Sequence, residues 1–131
     1  MNVTVSRQIT VLMENRTGAL AELCTKLAEK AVNIQGLMVP DHPGVAPVHM
    51  VVNGLEVAKK IIDSMGLKYT EEDVLSVRLS DKPGALGKVT RKLADHGVDV
   101  KYAYGTILKG AGKAVVILAA SDPQAAAKLA K

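Results

Sequence analysis

The chain repeats one segment of its own sequence at a distance of 66 residues. The stretch ENRTGAL at Glu14 to Leu20 recurs as SDKPGAL at Ser80 to Leu86. When the copies are aligned without gaps, 7 of the 22 positions from Glu14 to Gln35 are identical, whereas unrelated segments of this composition should share about two. A repeat of this kind means that one structural unit is built twice, so the 131 residues are interpreted as two copies.

Each repeated segment lies where a strand pattern changes into a helix pattern. Apolar residues alternate over 9–13 and over 75–79, which is typical of half-buried strands. After each segment the apolar spacing lengthens to about 3.6 residues, over 20–31 in the first copy and 86–93 in the second, which predicts amphipathic helices. Each segment is therefore a turn that opens a helix.

Both copies continue in the same order after that helix. Gly97 suits the left-handed position that ends the second copy's helix, and the first copy has Ala31 there. Asp122 and Pro123 are expected to cap and begin the second copy's last helix. The remaining predicted elements are strands 32–39 and 48–53, helix 54–65 and strand 67–70 in the first copy, and strands 98–105 and 113–120 and helix 124–131 in the second.

The order strand, helix, strand, strand, helix, strand specifies an α+β fold. We expect two ferredoxin-like βαββαβ units in tandem, with antiparallel sheets and helices on one face. The first unit covers 1–72 and the second 73–131. The second unit lacks its last strand, which would leave a bare sheet edge. Self-association, or pairing with residues 1–7, would cover that edge.

Composition excludes several classes of protein. The chain has 17 basic and 13 acidic residues, which are interspersed, and only three aromatic residues, all tyrosine. Both facts argue against a nucleic-acid partner, and Tyr102 and Tyr104 are interpreted as core or interface residues. No signal peptide or membrane span is present, and Cys24 is the only cysteine, so we expect a cytoplasmic protein without a membrane partner.

The two turns carry a resemblance to a known family. A strand that ends in an Asp/Asn-x-Pro-Gly-x-Leu turn, within this order of elements, resembles the ACT domain, a small regulatory module that typically binds amino acids. SDKPGAL matches at Asp81, Pro83, Gly84 and Leu86, whereas ENRTGAL has Thr17 in place of proline. The resemblance covers nearly the whole chain and implies a stand-alone tandem ACT protein.

This resemblance implies a site for a small amino acid at the two turns, near the interface of the units. The start of a helix presents free N–H groups and a positive dipole end, which favour a carboxylate. Asp81 would pair with the ammonium group, and Asn15 would offer its carbonyl oxygen. The candidate ligand-binding residues are Asn15, Arg16, Thr17, Gly18, Ala19, Leu20, Asp81, Lys82, Pro83, Gly84, Ala85 and Leu86.

Several alternatives stay open. Asn15 and Asp81 could be ordinary helix caps, and the turns would then be architectural. The chain could also be a ligand-free structural or regulatory subunit that docks on an amino-acid biosynthetic enzyme. We expect no enzyme activity, no catalytic residues, no metal site and no cofactor, because nothing resembles a nucleophile elbow, a cofactor fingerprint or a ligand cluster. A homodimer is the expected assembly.

Overall fold

A computed structural model describes residues 2–107 and 112–130 of the chain. Its elements follow the order that the sequence predicts. The glycine-rich connection expected at 109–112 lies outside the described residues except for Gly112. The elements are β1 (Asn2–Glu14), α1 (Ala19–Glu29), β2 (Ile34–Met38), β3 (Val45–Val52), α2 (Leu55–Ser64), β4 (Lys68–Ser80), α3 (Ala85–Asp95), β5 (Val100–Ile107), β6 (Lys113–Ala120) and α4 (Pro123–Ala130).

The six strands form an antiparallel sheet with hydrogen-bonded neighbours in the order β2-β3-β1-β4-β6-β5. The contacts divide the chain into two compact units. The N-terminal unit consists of Arg7–Glu72. The C-terminal unit consists of the chain from Asp73 onward together with residues 2–6. Each unit combines strands with two helices, so the predicted α+β class with tandem ferredoxin-like units is confirmed.

The N-terminal unit is built around the apolar face of its sheet. Ile9 lies opposite Met50 in the β1–β3 ladder, and both are completely buried. Because side chains alternate along a strand, every second residue of β1 from Ile9 to Met13 and of β3 from Val48 to Val52 points into this core. Leu23 and Leu27 of α1 and Ile62 of α2 close the core from the helix side, so both helices cover the same face of the sheet.

The C-terminal unit repeats this arrangement with β4, β5 and β6. Val77 lies opposite Val116 in the β4–β6 ladder. Leu93 of α3 and Ala126 of α4 pack into the same core as Val77. The register shifts between Val100 and Tyr102, where β5 has an irregularity against β6.

The missing last strand of the C-terminal unit is replaced by the start of the chain. No strand follows α4 within the described residues. Residues 2–6 of β1 belong to this unit instead, and Val3 is buried in its core. The hydroxyl groups of Ser6 on β1 and Ser76 on β4 are 3.0 Å apart and join these two strands by a hydrogen bond. Of the two ways to cover the edge that the sequence left open, pairing with the N-terminal residues is the one that the fold uses.

The segment between the copies is one strand rather than two. The sequence predicts that the extended segment at 67–70 runs through the acidic residues 71–73 almost directly into the strand at 75–79, and β4 runs without a break from Lys68 to Ser80. The acidic connection is compatible with a strand because its charges are paired at the surface. Glu71 lies 3.1 Å from the Lys59 ammonium and 3.4 Å from the Arg7 guanidinium.

Candidate functional site

The two repeated segments form the turn between β1 and α1 and the turn between β4 and α3. Each helix begins after a glycine in the left-handed region, with φ of 86° at Gly18 and 89° at Gly84. Residues with a Cβ adopt this region at a steric cost, whereas glycine does not. The backbone of the turn therefore explains why both copies have glycine at this position.

Both turns are fixed by the same backbone hydrogen bonds. The Asn15 N–H donates to the Gly44 carbonyl at 2.7 Å, and the Asp81 N–H donates to the Gly112 carbonyl at 3.0 Å. Further bonds match in both copies at 3.2 Å, from the Ala19 N–H to the Arg16 carbonyl and from the Ala85 N–H to the Lys82 carbonyl. The two turns therefore share one hydrogen-bonding pattern, although Thr17 stands where the second copy has Pro83.

Asn15 and Asp81 do not cap the helices. Neither α1 nor α3 has a side-chain hydrogen bond to its first turn. The Asn15 amide nitrogen instead donates to the His42 carbonyl at 3.1 Å, which ties the turn to the β2–β3 connection. The first-turn N–H groups, which an α-helix leaves without intrahelical acceptors, thus receive no side-chain oxygen. Those of Ala19 and Ala85 donate to the turn carbonyls, and the N–H groups that follow them are open to a ligand.

A pocket of about 540 Å³ lies beside the first turn, inside the N-terminal unit. Its polar side chains include Arg16, whose guanidinium is 3.4 Å from the Glu22 carboxylate and 3.8 Å from that of Glu14. The full lining is Leu12, Met13, Glu14, Arg16, Ala19, Glu22, Val45, Met65, Gly66, Leu67 and Lys68.

A second pocket, of about 300 Å³, lies beside the second turn, inside the C-terminal unit. Its floor is apolar, with Leu79 and Val89 buried, and its polar groups are one serine and two lysines. The lining consists of Leu79, Ser80, Lys82, Pro83, Ala85, Lys88 and Val89. A cavity at the same place in both copies is the feature that best marks these turns as a candidate site.

The predicted residues divide into those that line a pocket and those that do not. Five of the twelve do so: Arg16, Ala19, Lys82, Pro83 and Ala85. The other seven lie in the turns or in the first helical residues and line neither of these two pockets: Asn15, Thr17, Gly18, Leu20, Asp81, Gly84 and Leu86.

The sequence interpretation missed four charged residues of the pockets, Glu14, Glu22, Lys68 and Lys88. Glu22 and Lys88 each lie three residues after the alanine that begins their helix, and therefore on the same helix face. That helical spacing is a signal of the shared face, and only the fold shows that this face meets a pocket. The Met65–Lys68 stretch of the first pocket had no such signal, because only the fold brings it to the turn.

Other polar groups in the described residues are less suited to a site. No group of three or more His, Cys, Asp or Glu in residues 2–107 and 112–130 is arranged to hold a metal ion. Cys24 is half-buried on α1. Within the same residues, no helix has the length and apolar character needed to cross a bilayer.

Comparison with solved structures identifies similar folds. A protein from Bacteroides thetaiotaomicron superposes with a TM-score of 0.89 at 24% identity, covering 98% of this chain and 88% of that one. The regulatory subunit of aspartate kinase from Thermus thermophilus gives 0.74 at 16% identity, with coverage of 98% and 95%. The corresponding subunit from Thermus flavus gives 0.73 at 16% identity, with coverage of 99% and 92%.

Comparison with protein families identifies the chain itself. No protein of curated function matches its sequence. The family model described as an ACT domain pair matches residues 3–129. That match spans both repeat copies, including the N-terminal residues that complete the C-terminal unit. The chain therefore belongs to the ACT domain pair family.

Proposed function

We propose that this chain is a regulatory protein that binds a small amino acid at its two turns, residues 15–20 and 81–86. The observation that carries the proposal is the cavity beside each turn, at matching positions of the two copies. Within each unit, the cavity adjoins a helix start that has no side-chain cap. Of the two turns, we assign the main site to 81–86, where the family's aspartate and proline are both present.

Each end of an amino acid has a counterpart at the second turn. The first-turn N–H groups of α3 and its positive dipole end would hold the carboxylate. Asp81 is exposed and next to the pocket residues Ser80 and Lys82, so its carboxylate is available to the ligand's ammonium group. Pro83 restricts the turn before binding, which lowers the entropy cost of ordering it.

Regulation is the role that the ACT family supports, and no catalytic function is proposed. A bound ligand transmits a signal only if it binds one conformation more tightly than another. The fold's likeness to regulatory subunits of aspartate kinase favours a second candidate, in which the chain docks on an amino-acid biosynthetic enzyme without a ligand of its own. The first candidate is preferred because each copy contains a formed cavity.

A homodimer is part of the proposal. Strands β2 and β5 stand at the two ends of the strand order, and edge strands are natural sites of pairing. Leu37 of β2 is 41% exposed, and Val39 just after it is 43% exposed. Sedimentation equilibrium tests the assembly, and a monomer at all concentrations would contradict it. The cytoplasmic location stays a prediction, which cell fractionation tests.

Thermal melting against each of the twenty amino acids tests the ligand. A ligand at 100 times its Kd should stabilise the protein by about 2.7 kcal/mol. Calorimetry should then give a Kd that Asp81→Ala raises. A flat melting response at millimolar concentrations would reject the binding function, and co-purification with a biosynthetic enzyme in that case would favour the second candidate.

A further inference from the structure

We infer that the pocket at the second turn selects an amino acid with an additional anionic group, an acidic amino acid, and that the first pocket does not. This inference rests on the proposed function, because it assigns a ligand class to the same site. It concerns two groups of residues, called here the first pocket, beside 15–20, and the second pocket, beside 81–86.

The two pockets correspond at five lining positions of the repeat but differ in charge. The repeat offset pairs Arg16 with Lys82, so both pockets have a cation in the turn. It also pairs Glu22 with Lys88, which reverses the charge in the first turn of the helix. The copies thus keep the cavity and change its electrostatics.

The first pocket has balanced charges, and both of its carboxylates pair with Arg16. Its two carboxylates, of Glu14 and Glu22, are matched by the cations of Arg16 and Lys68. The Arg16 guanidinium lies within ion-pair distance of both carboxylates, at 3.8 Å and 3.4 Å. An incoming anion would have to compete with those carboxylates, and a second ligand carboxylate would be repelled.

Among the described residues, those that line the second pocket include two cations and no carboxylate. Lys82 and Lys88 are exposed, and neither forms an ion pair with another residue in the described part of the chain. Two unpaired ammonium groups around one cavity give a local positive potential that attracts anions. A ligand with two carboxylates and one ammonium group matches Lys82, Lys88 and the neighbouring Asp81 in number and sign.

Amino acids of nearly equal size that differ in charge separate the effect of charge on binding from the effect of shape. Calorimetry would compare aspartate with asparagine and glutamate with glutamine at low and high salt. The acid and its amide differ by one carboxylate, and one exposed ion pair changes Kd by a factor of about 1.5 to 5, so the acid should bind more tightly than its amide by about that factor. The preference should fall as salt rises, because exposed charges are screened.

Succinate and inorganic phosphate test whether an amino acid is required. Both are anions without an ammonium group, and they should bind more weakly than aspartate. Equal binding of either anion would overturn the assignment to an amino acid.

Reversing the charge of Lys88 or of its counterpart Glu22 tests which pocket is responsible for the preference for the acid. Lys88→Glu should remove the preference for the acid, whereas Glu22→Lys should create or increase one at the first turn. Lys60→Glu, on the exposed surface of α2 and remote in sequence from both turns, introduces the same change in net charge and should leave the preference unaltered.

Failure of this inference differs from failure of the proposed function. Amides that bind as tightly as the acids, or a preference that survives Lys88→Glu, would overturn the ligand class and leave amino-acid binding intact. Binding by none of the twenty amino acids would overturn both.

Discussion

Ala31 has a backbone conformation that normally belongs to glycine. Its φ is 57°, and it is the one residue other than glycine with a positive φ in the described chain. It ends α1 in the way that Gly97 ends α3, where φ is 72°. The Val32 N–H then donates to the Leu27 carbonyl at 3.0 Å, the bond of a Schellman motif.

Replacing each of these two residues by the type found in the other copy should change the free energy of unfolding in opposite directions. Ala31→Gly should raise the free energy of unfolding by about 0.5–1 kcal/mol, because relief of the left-handed strain exceeds the entropy cost of glycine. Gly97→Ala should lower it by about 1 kcal/mol for the reverse reason. Urea denaturation of both variants measures the pair, and two changes of the same sign would contradict the argument.

His49 is a residue whose ionisation is altered by the fold. It lies on β3, and its Nδ1 is 2.9 Å from the Thr10 hydroxyl. Burial lowers the pKa of His49 from its ordinary 6.5, and the Glu72 carboxylate partly opposes that shift. The folded protein therefore favours the neutral imidazole.

The sign of this shift sets a pH dependence. Because the folded pKa is below the unfolded one, the contribution of His49 to stability is fully present above pH 6.5 and is lost as the pH falls from there through the folded pKa. His49→Gln should flatten the decline in unfolding free energy between about pH 7 and pH 5. Urea denaturation across this pH range tests the prediction. An unchanged slope of unfolding free energy against pH would exclude His49 as a cause of the decline.

At the scale of single elements, the starts of the helices divide into two kinds. Helix α4 has a side-chain cap, since the Ala125 N–H donates to the Asp122 carboxylate at 3.1 Å. Helices α1 and α3 begin at Gly18 and Gly84 without one. The predicted cap at Asp122 is confirmed, and the alternative that Asn15 and Asp81 cap their helices is wrong.

Two aspartates test this division directly. Asp122→Ala should destabilise the fold by about 1 kcal/mol through loss of the cap. Asp81→Ala makes the same chemical change before an uncapped helix and should leave the free energy of unfolding within about 0.5 kcal/mol of the parent. Thermal melting without ligand compares them, and a large loss in Asp81→Ala would restore the architectural interpretation of the turn.

At the scale of the whole molecule, the chain begins in one unit and continues into the other. Residues 2–6 complete the C-terminal unit, whereas the rest of β1, from Arg7, belongs to the N-terminal unit. Val3 is 8% exposed and shares a core with Leu75 and Leu118. The C-terminal repeat copy therefore depends on residues that precede the first copy.

This dependence predicts a long-range effect of the first residues. Val3→Asp should lower the unfolding free energy by about 2–4 kcal/mol, since it places a charge in an apolar core. Thr4→Asp adds the same charge at the next, exposed position and should have little effect. Hydrogen exchange should show the loss of protection in β4 and β6 first. Equal effects of both variants would contradict the assignment of residues 2–6.

Much of the fold was predictable because its signals are local. Changes of apolar period located the helices and strands, and Gly97, Asp122 and Pro123 marked ends that the structure confirms. The acidic residues 71–73 were predicted as an almost direct passage between two strands, and the structure joins those strands into one, in which Glu71 contacts Lys59 and Arg7.

The sequence by itself determined that one unit is built twice, that each copy has a glycine turn before a helix, and that the chain resembles the ACT family. These properties depend on backbone preferences and on patterns that repeat along the chain. Only the tertiary structure decided that residues 2–6 complete the C-terminal unit and that Glu22 and Lys88 line the pockets. Such facts depend on contacts between residues that are distant in the sequence, or on which helix face meets a cavity, and the packing of the folded chain sets both.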